Sequence, residues 1–143
     1  MRTIGIDLSA RGEHQAVIVD ETGHFVSSVI RCRTDPASLS HLLEVAQAGS
    51  IDGQLQAVME PTGMAWFPVA VFLIRQAVTV YLVNSQQVPD LRKYFKKHAK
   101  SDRIDARVLA KLPLVDEERN YIVWNSPMPR HWPASEAASS WSA

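Results

Sequence analysis

The order of the apolar patterns along the chain most strongly constrains its fold. Three strand-like runs come first with short links between them, and strand-like and helix-like segments then alternate. Short links favour antiparallel neighbours, whereas a strand, a helix and another strand in succession favour parallel pairing. The predicted strands are Thr3–Leu8, Gln15–Asp20, His24–Arg31, Leu55–Glu60 and Val78–Val83. The predicted helices run from Asp35-Pro36 to Gly49, over about Ala65–Gln76 and over about 86–112.

This order predicts an α/β fold with an RNase H-like mixed five-stranded sheet and flanking helices. A chain of 143 residues is long enough for one domain with its own core. We expect that domain to occupy residues 1–113. Residues 114–143 are predicted to be an irregular tail, because tryptophans, prolines, serines and alanines follow one another there without periodicity.

Four acidic residues stand where this fold can gather them into a metal site. Asp7 and Glu60 each end an apolar strand pattern, and Asp102 and Asp105 are three residues apart in a helical pattern. Mg²⁺ prefers carboxylate oxygens, and two-metal sites clamp the reacting oxygens of a phosphodiester. We therefore interpret the four as candidate metal-ligating and catalytic residues of a nuclease or DNA-strand-transfer enzyme. In the alternative interpretation, Asp102 and Asp105 cap a helix and Asp7 and Glu60 are solvated strand ends.

A basic stripe follows one side of the predicted last helix. Residues 90–111 carry a net charge of +5, although the whole chain is neutral and therefore not a uniformly basic nucleic-acid binder. On a helical projection the acidic pair falls with the apolar residues, opposite the stripe. The stripe is a candidate phosphate-binding surface, with a solvated helix face as the alternative. Its residues are Arg92, Lys96, Lys100, Arg103, Arg107 and Lys111.

Other functional classes find little support in the sequence. Cys32 is the only cysteine, which excludes an intrachain disulfide, and we interpret it as a small buried residue. The sequence shows no signal region, no membrane-spanning apolar stretch and no glycine-rich phosphate loop. We expect a cytoplasmic protein without a membrane partner.

Several motifs together resemble the DEDD transposases of insertion-sequence family 110, which are relatives of the pilin-gene invertase. The motifs are Gly5-Ile6-Asp7-Leu8-Ser9, Met59-Glu60-Pro61-Thr62-Gly63, Val83-Asn84 and Lys100-Ser101-Asp102-Arg103-Ile104-Asp105-Ala106-Arg107. The resemblance covers about residues 3–112 and implies the family's amino-terminal RuvC-like domain. It implies that the four acidic residues bind Mg²⁺, with Mn²⁺ as a possible substitute. It also implies DNA recombination, a structured bridge RNA as a partner and homo-oligomeric assembly.

The resemblance does not extend to the family's second domain, which carries a nucleophilic serine. No segment after Leu112 matches it, and the serines of the tail lie outside any helical or strand pattern. We therefore expect a truncated or frameshifted transposase that is catalytically incomplete. The alternatives are a stand-alone RuvC-like metal-dependent nuclease and a non-catalytic nucleic-acid-binding remnant.

Overall fold

A six-stranded mixed sheet forms the centre of the protein. The computed structural model describes residues 1–61, 63–83, 106–115 and 122–123. Neighbouring strands follow the order β3-β2-β1-β4-β5-β6. The pairs β1–β2, β2–β3 and β5–β6 are antiparallel, whereas β1–β4 and β4–β5 are parallel. The strands are β1 (Arg2–Asp7), β2 (Glu13–Val19), β3 (Ile30–Arg33), β4 (Leu55–Met59), β5 (Thr79–Leu82) and β6 (Ile122–Val123). The predicted α/β, RNase H-like fold is confirmed, with β6 as an additional strand.

Helices cover both faces of the sheet. They are α1 (Pro36–Gln47), α2 (Trp66–Arg75) and α3 (Ala106–Val115). Buried side chains of α1 and α2 share one core with the inward residues Ile4, Ile6 and Met59 of β1 and β4. On the other face, α3 lies over β1 and contacts β2 and β4. The helices and sheet therefore form three layers.

The ends of α1 explain why it forms where the sequence predicts it. Asp35 caps the helix, and its Oδ1 accepts a hydrogen bond of 2.7 Å from the Ser38 amide. Proline at the next position fits the first helical turn. At the other end, the Arg2 guanidinium donates to the carbonyl oxygens of Ala46 and Ala48 at 2.9 and 2.7 Å. That cation satisfies carbonyls at the negative end of the helix and ties it to β1.

The prediction for the third strand was wrong in its position. The sequence predicts this strand at His24–Arg31, but β3 spans Ile30–Arg33, and Phe25 forms only an isolated bridge with Val19. The pairing with β2 sets this register, because it places Cys32 opposite His14 with both residues buried. That constraint is long-range, so the local pattern could not supply it.

Two regular segments fall inside the region predicted to be an irregular tail. Helix α3 continues past Pro113 to Val115, and Ile122–Val123 pair with β5. Residues 84–105, which include most of the predicted helix 86–112, lie outside the described residues. Within the described part of the chain, no helix is long and apolar enough to cross a membrane.

Candidate functional site

Two of the predicted acidic residues lie side by side at one edge of the sheet. Asp7 is the last residue of β1, and Glu60 directly follows the last residue of β4. The two strands are parallel neighbours, and their register pairs Ile6 with Met59. The next position on each strand is an acidic residue, so the two backbones are about 4.8 Å apart there. The two strand ends are therefore neighbours at one edge of the sheet.

Strand alternation determines which face the two carboxylates share. Ile6 and Met59 are fully buried in the core beneath α1 and α2. Successive side chains point to opposite faces of a strand, so Asp7 and Glu60 lie on the face that α3 covers. Both residues are half-buried. Partial burial leaves the carboxylates accessible to a ligand while reducing the screening of their charge by water.

A glycine in β1 lets the first turn of α3 approach this face closely. A Cβ atom at Gly5 would lie 2.1 Å from the Ala106 carbonyl oxygen and 2.4 Å from the Ala110 amide nitrogen. Ala106 and Ala110 are themselves buried against β2. Gly5 is two residues before Asp7, so backbone contact fixes the start of the helix close to the carboxylate edge.

The second half of α3 shows which way the helix runs. The ammonium group of Lys111 lies 4.6 Å from the centre of the Phe25 ring, and Phe25 bridges to Val19. Val19 pairs with Thr3, near the start of β1. The later part of α3 therefore lies toward the start of β1, and its first turn is nearest Asp7.

The structure describes only part of the predicted ligand set and basic stripe. Among the described residues, no group of three or more histidine, cysteine or acidic side chains could hold a metal ion. Arg107 is exposed and Lys111 is half-buried, whereas Ala106, Leu109 and Leu112 are buried. Along α3 the apolar side thus faces the sheet, as the helical projection predicts. Six predicted site residues lie outside the described ranges: Asp102, Asp105, Arg92, Lys96, Lys100 and Arg103.

A buried histidine that the sequence did not single out supports the loop after Asp7. The His14 Nδ1 accepts a hydrogen bond of 3.0 Å from the Ser9 amide, and its Nε2 lies 2.7 Å from the Thr34 hydroxyl oxygen. Because Nδ1 accepts, the neutral ring carries its proton on Nε2 and donates to Thr34. Burial lowers the pKa of His14, which favours this neutral form. His14 therefore joins the β1–β2 loop to the β3–α1 junction.

The only signal for His14 in the sequence was its position in an alternating pattern. It shares the inward face of β2 with Ala16 and Ile18. Cys32, opposite His14, is also buried, as predicted. Burial raises the pKa of its thiol to about 11, so Cys32 is not a thiolate nucleophile at neutral pH.

The strand order and the carboxylate edge define an RNase H-like α/β domain. A family model described as a transposase, that of the DEDD transposases of insertion-sequence family 110, matches residues 4–124. The chain belongs to this family of transposases. The family acts in DNA transposition, and its partner is DNA. A search of curated proteins gave no significant match. The matched region reaches beyond the predicted domain end at residue 113 and includes β6.

Proposed function

We propose that this domain positions a DNA phosphodiester for transposition through Mg²⁺ bound by Asp7, Glu60, Asp102 and Asp105. The observation that carries the proposal is the pairing of Asp7 and Glu60 at the ends of adjacent parallel strands, on the face that α3 covers. Carboxylate oxygens are the hard ligands that Mg²⁺ takes, and one or two of them suffice when water and phosphate complete its coordination. Mn²⁺ can take the same ligands.

The position of α3 supports including the acidic pair in the site. Asp105 directly precedes Ala106 in the sequence, and Ala106 packs against Gly5. Asp102 comes three residues earlier. Since Ala106 lies beside the carboxylate edge, the acidic pair that precedes it in the sequence is included in the proposed ligand set. The alternative, in which Asp102 and Asp105 only cap a helix, predicts that they make no contribution to metal affinity.

Each part of the proposed site has its own task. A metal held by the carboxylates would supply positive charge against the phosphodiester oxygens. The carboxylates of Asp7 and Glu60 fix the position of that charge at the rigid end of the sheet. By the family resemblance, a serine of a second domain would make the attack. The exposed Arg107 and the remaining stripe residues contact the phosphates of DNA or of a guide RNA.

Calorimetric titration with Mg²⁺ and with Mn²⁺ tests the metal site. The variants are Asp7→Asn/Glu60→Gln and Asp102→Asn/Asp105→Asn, each of which removes two charges without changing side-chain volume much. Glu44→Gln is the matched control, because Glu44 is exposed on α1. We expect binding by the native chain and the control, with loss of at least tenfold in affinity in both double variants.

The same samples are then incubated with branched and supercoiled DNA. Metal binding without cleavage supports a domain that positions DNA for a serine supplied elsewhere. Metal-dependent cleavage by this chain alone supports the stand-alone nuclease instead. A well-folded native chain that binds no metal refutes the proposal and favours a non-catalytic nucleic-acid-binding module.

A further inference from the structure

Two exposed arginines on β3 lie in register with the carboxylate edge. Asp7 pairs with Gln15 on β2, and Gln15 pairs with Arg31 on β3. Arg33 lies one alternation further along and pairs with Glu13. Arg31 and Arg33, which we term the arginine edge, thus lie on the outermost strand of the sheet at the level of Asp7 or just beyond it.

The arginine edge is on the same face of the sheet as Asp7 and Glu60. Cys32, between the two arginines, is buried in the core beneath α1 and α2. Val29, which precedes Arg31 by two residues, packs with the residues beneath α3. Alternation therefore directs both arginines to the α3 face. Arg31 and Arg33 are exposed, and so is Gln15, which lies on β2 between Asp7 and Arg31. Helix α3 therefore does not cover this part of the face.

The spacing suits a strand of DNA that passes over the carboxylate edge. Arg31 is two strands away from Asp7, which corresponds to about 10 Å between their backbones. At that separation the arginines can reach a phosphate about one to two nucleotides from the reacting one along the same strand, because successive phosphates are further apart than the axial rise of about 3.4 Å per nucleotide. Arginine also presents a planar fork of donors that matches a phosphate group.

Charge complementarity favours the same occupant. A metal held by the two carboxylates engages only the reacting phosphodiester, so flanking cations are needed to hold the rest of the strand. The nearest competing group is Glu13, whose Oε1 lies 3.7 Å from Nη1 of Arg31, with 51% and 74% of the two side chains exposed. Such an exposed pair is weak and easily exchanged for a phosphate. Within the described residues, the Arg33 guanidinium makes no hydrogen bond or ion pair.

We propose that Arg31 and Arg33 bind the DNA backbone on one flank of the phosphodiester that Asp7 and Glu60 position. This inference rests on the proposed function, because it assigns the path of the DNA across that site. The competing explanation is that charges on an edge strand only prevent sheets from joining edge to edge. That explanation requires charged side chains on β3 but predicts no change in DNA affinity when they are replaced.

The test is fluorescence anisotropy of a labelled DNA duplex titrated with the full chain between 50 and 200 mM salt, a range in which phosphate contacts are readily resolved. In Arg31→Ala/Arg33→Ala we expect a dissociation constant roughly 2- to 30-fold weaker. The slope of log affinity against log salt should decrease by about 1.8, because each phosphate contact on duplex DNA contributes roughly 0.9. The substitution Glu13→Gln should tighten DNA binding, because the carboxylate that competes with phosphate for Arg31 is lost.

A charge-restored variant separates position from net charge. Adding Glu44→Lys to the double arginine variant returns the total charge to its native value, but on the opposite face of the sheet. Binding that stays weak in this variant supports the arginine edge. Binding that returns to the native level, unchanged affinity in the double variant, or binding of RNA but not DNA refutes it.

Two further measurements distinguish DNA binding by the arginine edge from metal binding by Asp7 and Glu60. Thermal melting of each variant confirms folding, and both arginines are exposed enough for substitution to leave the core intact. Mg²⁺ affinity measured by calorimetry tests Asp7 and Glu60 independently of DNA. Loss of DNA affinity with unchanged metal affinity is the expected result for the arginine variants. A folded native chain that binds Mg²⁺ but no DNA refutes the arginine edge and leaves the metal site standing.

Discussion

Replacement of Gly5 by alanine tests how closely α3 must approach the sheet. The new Cβ would lie 2.1 Å from the Ala106 carbonyl oxygen, whereas ordinary contacts begin at 3.4 Å. The helix must therefore move by about 1.3 Å, because the contacted atoms belong to its backbone and cannot rotate away. Overpacking of this kind costs about 1–3 kcal/mol. We expect Gly5→Ala to lower the free energy of unfolding by that amount.

Urea denaturation followed by circular dichroism measures the effect. For an m-value of about 2 kcal/mol/M, the midpoint should fall by roughly 0.5–1.5 M. Adding Ala110→Gly to the variant should give no rescue, because the close contacts at that residue are to its amide nitrogen and Cα. If α3 also positions the acidic pair, Gly5→Ala should weaken Mg²⁺ binding. An unchanged midpoint, or rescue by Ala110→Gly, would show that the helix does not pack on β1 by backbone contact.

Three further predictions concern buried or capping groups. The neutral form of His14 is favoured in the folded protein, so stability should be complete above its ordinary pKa of 6.5 and should fall as the pH drops below that value. Urea midpoints between pH 8 and pH 5 check this loss, which His14→Gln should lack. Asp35→Ala removes the cap of α1 and should cost about 1 kcal/mol, measured by thermal melting. Cys32, buried and with its pKa raised to about 11, should react with a thiol reagent only upon unfolding, so its labelling should accelerate sharply in urea.

The sequence predicted most of the fold because its local patterns agree with the tertiary structure. The strand patterns at 3–8 and 55–60 are continuous apolar runs, and each forms a central strand buried on both faces. Asp35 and Pro36 marked the start of α1 for a local reason, namely cap chemistry. The predicted position of β3 was wrong, because the pairing of His14 with Cys32 sets the register between β2 and β3. Such pairing depends on residues far apart in the chain.

For the candidate site too, local patterns predicted some features, whereas others depend on residues far apart in the chain. That Asp7 and Glu60 end at the same edge follows from the strand order, because the β3–α1–β4 connection makes β4 parallel to β3, and β3 runs in the same direction as β1. That β4 pairs with β1 itself is known only from the structure. The contact of Ser9 and Thr34 with His14 could not be foreseen, since nothing in the local sequence links the loop after β1 to the junction after β3. Arg31 was not singled out either, because its relation to Asp7 exists only through the register of β1, β2 and β3.

The placement of α3 connects these observations physically. A helix that packs on a strand through a glycine has little freedom to slide or tilt, because backbone contacts are short and rigid. Its first turn is held beside the end of β1, where Asp7 adjoins Glu60 on β4. The same helix leaves the outer part of that face open, where Gln15 and Arg31 are exposed. One packing arrangement can therefore fix the carboxylates at a rigid edge while leaving a path for DNA across β2 and β3.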